Sequence, residues 1–121
     1  MLQLVKTASE ITSATCTLTR NFPEDEQYIL VPTVRDHCFS ILENASLGMA
    51  RFDVASRQNF LTQAIIGIGE LKASYNLCKS LDLISSDQHH ALIEKTQVLR
   101  DQIKMAQDYI ATLPPDGQAT W

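Results

Sequence analysis

The chain has 121 residues, a formal net charge of −4 at pH 7, and 45% hydrophobic against 20% charged residues. That size supports one domain with a real core, and that composition excludes wholesale disorder. The acidic total, with no basic run, excludes a protein that grips nucleic acid through overall positive charge; such a role must rest on a local patch or on a partner. No apolar run approaches the ~20 residues of a membrane helix. The start, Met1-Leu-Gln-Leu-Val-Lys6, shows no basic segment leading into an apolar one, so a cytoplasmic protein is expected.

Four periodic segments follow. Over about 2–20, Val5, Ala8, Ile11 and Leu18 make a helical stripe with Thr15 in its gap; the many Ser and Thr residues are weak helix formers, so packing must hold it. Asn21-Phe22-Pro23 ends it, because the residue before proline avoids the helical region. Residues 24–31 are expected to be a helical turn or an irregular connection. Pro32 is expected as the first residue of the second helix, where its missing N–H is harmless. Val34, Cys38, Ile41, Leu42, Ala45 and Met49 then repeat at the spacing of one helix face, with Gly48 near the end and a loop at 51–55.

Ser56 is the expected N-cap of a third helix over about 57–83. Its main stripe is Leu61, Ala64, Ile65, Ile68, Leu71, Tyr75 and Cys78. A second apolar edge, Phe60, Leu77, Leu81 and Ile84, predicts a further interface. Ser85 and Gln88 have the spacing of a capping box, and Asp87 suits the positive end of the helix dipole. In the fourth helix Leu92, Thr96, Leu99, Ile103, Ala106, Ile110 and Leu113 form a heptad seam that stops at Pro114-Pro115. The expected architecture is an all-α, antiparallel up-down four-helix bundle over 1–113, followed by a flexible tail, 114–121, whose Trp121 could anchor a partner.

No constellation points to an enzyme. Cys16, Cys38 and Cys78 lack metal-ligand spacing and fall at apolar helical positions, where cysteine behaves as a small hydrophobe. His37 and Cys38 diverge by about 100° on a helix and cannot meet as nucleophile and base. Asp87-Gln-His-His90 has no mate for a di-iron site, so no metal and no cofactor are expected. Asn44-Ala-Ser46 fits a glycosylation sequon but lies mid-helix. Glu43 and Glu70 are carboxylates near the core stripes, expected to pair or to face solvent.

Phe22-Pro23-Glu-Asp-Glu26, Tyr28-x-Leu30 and Val34-Arg35 resemble the start of the second helix in a family of bacterial four-helix bundle proteins. That family includes the 23S ribosomal RNA intervening-sequence proteins and Avd, the accessory variability determinant of diversity-generating retroelements. Ser40-Ile41-Leu42-Glu43-Asn44-Ala45-Ser46-Leu47-Gly48 is similar to the intervening-sequence pattern Ser-Ile-x-x-Asn-Ile-x-x-Gly. Asn59-Phe60-Leu61, Ala64, Gly69-Glu70-Leu71 and Leu77-Cys-Lys-Ser-Leu81-Asp-Leu-Ile-Ser85 resemble the third helix and its terminal turn. The resemblance spans about nine-tenths of the chain.

It implies a barrel-shaped homopentamer, with which the small Gly67 and Gly69 are compatible. By resemblance to Avd, it implies a non-catalytic accessory protein that joins a reverse transcriptase and helps it copy a template RNA into complementary DNA. Where such accessory proteins carry paired arginines late in the third helix, this chain has Lys72 and Asn76. The candidate contacts to RNA, DNA or a partner are Arg57, Lys72, Lys79, Lys95, Arg100 and Lys104, which a pentamer would repeat around a ring. The alternative is an intervening-sequence-type bundle with a scaffolding or regulatory role and no direct nucleic-acid contact.

Overall fold

The computed structural model describes residues 3–116. Four helices follow one another: α1 (Gln3–Thr19), α2 (Leu30–Ala50), α3 (Val54–Ser80) and α4 (Ser86–Ile110). A short 3₁₀ turn, Glu24–Gln27, lies between α1 and α2, and there is no strand among the described residues. Each helix packs on its neighbours in sequence, and α4 returns against α1. Side-chain pairs show that every neighbouring pair is antiparallel. Arg35 early in α2 reaches Cys16 and Thr19 late in α1, and His37 pairs with Glu70 across α2 and α3. Asn76 meets His89 while Thr62 meets Gln107, and Glu10 pairs with Lys95. The result is the expected up-down-up-down bundle.

The α2–α3 contact is the closest, and two glycines set it. A Cβ at Gly48 would lie 2.7 Å from Leu61 Cδ2, and one at Gly67 would lie 2.8 Å from Ile41 Cγ1. Gly67 is therefore an internal packing residue and not an assembly surface. Gly69 faces open space.

The core follows the expected stripes with local shifts. On α4 every seam residue from Leu92 to Ile110 is buried, while Leu113 beyond the helix is half-buried. On α3, Leu61, Ala64, Ile68, Leu71, Tyr75 and Cys78 are buried and Ile65 is partly so. On α1 the buried face is rotated towards Leu4, Thr7, Ala8, Ile11, Thr12, Thr15 and Thr19, leaving Val5 and Leu18 at its edges. Burying so many threonines is tolerable because their hydroxyls bond back to the helix: Thr7 to Gln3 O, Thr12 to Ala8 O and Thr19 to Thr15 O.

The helix ends explain where the expected boundaries move. α2 begins at Leu30, so Pro32 is its third residue; that position still belongs to the first turn, whose N–H groups have no helical partner. α3 begins at Val54 because the Asp53 carboxylate accepts the Ser56 N–H at 2.9 Å, making Asp53 the N-cap and Ser56 the donor. α3 stops at Ser80, three residues before the expected end. Asp82 takes a left-handed conformation (φ 59°), with its N–H on Lys79 O and that of Leu83 on Cys78 O, the bonding of a Schellman turn. The Ser85–Gln88 capping box forms as expected, both reciprocal bonds being present. Pro115 O accepts the Val54 N–H at 3.3 Å, so residues just after α4 are tied to the start of α3. The rest of the expected tail, 117–121 with Trp121, lies outside the described residues.

Gly67→Ala should therefore destabilise the fold by about 1–2 kcal/mol, overpacking outweighing the gain in helix propensity. Gly69→Ala should stabilise it by about 0.5–1 kcal/mol. Urea unfolding followed by circular dichroism measures both, and equal effects would contradict the assignment of these glycines. Asp82→Gly should also raise stability, by about 0.5–1 kcal/mol, by relieving the left-handed residue.

Candidate nucleic-acid interface

The register of α3 against α4 is fixed at both ends. His89 Nε2 lies 2.7 Å from Asn76 Oδ1, and Gln107 Nε2 donates to Thr62 Oγ1 at 3.1 Å, while Gln58 Nε2 donates to Gln107 O at 2.8 Å. From these anchors helical periodicity locates the residues between. Gln58, Thr62, Ile65, Gly69, Lys72, Asn76 and Lys79 follow one another in steps of four and three, so they share the α4-side edge of α3. Arg100, Lys104 and Gln107 share the matching edge of α4 by the same spacing.

Four of the six expected cations thus gather on one outer face of the α3–α4 pair: Lys72, Lys79, Arg100 and Lys104. Arg100, Lys104 and Lys79 are exposed and Lys72 is half-buried. The α3 edge carries no carboxylate, while on α4 Asp101 and Asp108 flank Lys104 three residues before and four after. The nearest acidic residues of α4, Asp101 and Asp108, stand on its outward side, and Asp101 accepts a bond from Gln97 at 3.0 Å. Gly69 leaves a gap in the α3 edge opposite Arg100, since nothing lies within 4 Å of where its Cβ would be.

The other two expected cations do not join this face. Arg57 is only 3% exposed, and its Nε donates to Arg51 O, which helps close the turn from α2 into α3. Its guanidinium lies inside the bundle, so Arg57 is not part of the exposed face. Lys95 lies on the α1 side of α4 and donates to Glu10 Oε2 at 2.7 Å; that ion pair holds the exposed Glu10 carboxyl below its usual range. Helical phase decides both cases: Arg57 falls on the core stripe with Ala64 and Leu61, and Lys95 opposite the α3-facing edge.

The interior offers no reactive pair among the residues considered for one. Cys38 is buried beside Thr15 and Tyr75, and burial pushes its thiol up from the ordinary value. His37 turns outward, with Nδ1 3.3 Å from Glu70 Oε2. Glu43 is exposed. Among the described residues no cluster of three His, Cys, Asp or Glu could hold a metal ion, and no helix is long and apolar enough to cross a membrane.

Residues 1–105 match the model of the 23S rRNA-intervening sequence protein family. The chain belongs to that family. A comparison with curated proteins finds no match. In this intervening-sequence family member the motif residues prove to be architectural. Phe22, Leu30 and Val34 are buried. Arg35 donates from Nη2 to Cys16 O and from Nε to Thr19 Oγ1, and Gln27 Nε2 donates to Thr19 O and Phe22 O. These bonds add side-chain donors to the backbone-bonded carbonyls of Cys16 and Thr19 and so fasten the end of α1 and the turn after it.

Burial also pushes Tyr75 well above its ordinary value, with Thr15 Oγ1 2.6 Å from its hydroxyl. The folded chain keeps this proton where the unfolded chain loses it, so stability is full below about pH 10 and falls as pH rises further. Alkaline titration should show Tyr75 ionising only as the helical signal is lost, and Tyr75→Phe should lack that part of the pH dependence. Tyrosinate absorbance rising at Tyr75 before unfolding would contradict the closed core.

Proposed function

We propose that this chain is a non-catalytic accessory protein of the Avd kind. It acts in the cytoplasm as a homopentamer, docks on a reverse transcriptase, and holds the template RNA or complementary DNA along the α3–α4 face. The observation that supports the reading is the gathering of Lys72, Lys79, Arg100 and Lys104 on one helix-pair edge, with no carboxylate on its α3 side, in a chain of net charge −4. Two cations on α3 stand roughly 10 Å apart along its axis and two on α4 roughly 6 Å apart, a row that can follow a phosphate backbone. Ring assembly would repeat the row and raise the local potential beyond what one acidic subunit offers. The face lacks the aromatic side chains that stack bases, so contact would be to phosphates and indifferent to sequence.

A second reading is the intervening-sequence-type scaffold that binds only protein, and the half-exposed apolar residues Leu77 and Leu81 on the opposite edge of α3 favour it. Binding of a labelled single-stranded RNA to the purified chain at rising salt separates the two. Under the first reading Lys72→Ala, Lys79→Ala, Arg100→Ala and Lys104→Ala each weaken binding and reduce the slope of log K against log salt by about 0.7, whereas Lys95→Ala leaves it unchanged. RNA binding that is absent, or insensitive to all four substitutions, would move the assignment to the protein scaffold.

A further inference from the structure

The α2-side edge of α3 has the opposite character to the cation face. Leu77 and Leu81 are 48% and 49% exposed, and with Ile29 (78%), Thr33 and the buried Leu30 they line a shallow groove. Asp25 and Glu26 of the 3₁₀ turn also line it, and Glu24 precedes them. No Lys or Arg is among the lining residues. Beyond the groove the same edge of α3 continues by helical spacing through Ala73, Glu70 and the half-exposed Ile66. That row spans roughly 22 Å, the length of about four helical turns. Phe60 and Ile84, expected on this edge, are respectively half-buried and buried, so they do not belong to it.

We infer that this groove receives a basic amphipathic helix from another protein. A row of apolar residues at helical spacing fits the i, i+3, i+4, i+7 anchors of a helix laid in a groove. The charge identifies the occupant further. Asp25 and Glu26 border the Leu77–Leu81 groove with carboxylates, so the helix that complements it carries Lys or Arg beside its anchors. Docking of the groove on itself would bring Glu24, Asp25 and Glu26 against their own counterparts, like charge on like charge, and a heterologous contact within a ring is the outcome that the assembly mass reads. The inference goes beyond the proposed nucleic-acid role, which concerns the other edge of α3, and either can fail without the other.

The test uses the full chain and a fluorescent helical peptide of about 15 residues, with Leu at the anchor positions and Lys elsewhere, beside its counterpart with Glu in place of Lys. Anisotropy should show the Lys peptide binding and the Glu peptide not. Leu77→Ser with Leu81→Ser should weaken binding by about tenfold or more. Asp25→Lys with Glu26→Lys should reverse the preference towards the Glu peptide, which general stickiness cannot do. Leu77, Leu81 and Asp25 are exposed and Glu26 is half-buried, so circular dichroism should remain that of the wild type. The inference is overturned if the chain binds neither peptide or both equally. It is also overturned if the Leu77/Leu81 variant lowers the assembly mass in light scattering, which would assign the groove to contact between copies.

Discussion

The close approach of α2 and α3 at Gly48 and Gly67 is the constraint on which the rest of the bundle depends. At both places a methyl group would collide with a fully buried side chain of the other helix. With α2 pressed against one flank of α3, Tyr75 reaches across the core to Thr15 of α1, and that bond joins elements sixty residues apart. The other flank of α3 is left for α4, whose seam closes the ring against α1. α3 therefore has three lines of contact along its length: a core stripe, a cation edge beside α4, and an apolar edge beside α2.

α1 shows how a poor helix former is made to serve. Its threonines satisfy their hydroxyls on their own helix or on Tyr75, so their methyl groups fill the core without stranding a polar group. Its last carbonyls are taken by Arg35 and Gln27, which fix the chain as it turns through Phe22 and Pro23. The residues through which this chain resembles its family in that region are thus explained by architecture. Function has to be sought on surfaces that those residues only position.

Much of the fold was legible in single residues and local spacing. The Ser85–Gln88 box and the heptad seam of α4 are strong because each depends on one helix alone. Where two local readings competed, sequence could not decide. Ser56 and Asp53 both suit an N-cap, and only the geometry shows Asp53 accepting the Ser56 N–H. Asp82 gave no sign of its left-handed conformation, since a glycine there would have marked the end of α3 and an aspartate does not. The six cations could be chosen by charge but not sorted. Sorting needed the register of α3 against α4, set by Asn76–His89 and Thr62–Gln107, and the discovery that Arg57 lies inside. The apolar groove was half visible in Leu77 and Leu81; its other wall comes from the 3₁₀ turn, which no periodicity announces.

The two edges of α3 divide an acidic protein into a surface suited to phosphates and a surface suited to a basic helix, and an accessory protein joining a nucleic acid to a protein needs both. The central claim is that nucleic acid lies along α3 and α4. Photocrosslinking of a labelled RNA to the full chain, with the attached peptides identified by mass spectrometry, tests it most directly. Crosslinks concentrated around Lys72, Lys79, Arg100 and Lys104 are the predicted result. Crosslinks on α1 and the outer face of α2, with none on the α3–α4 edge, would contradict the account.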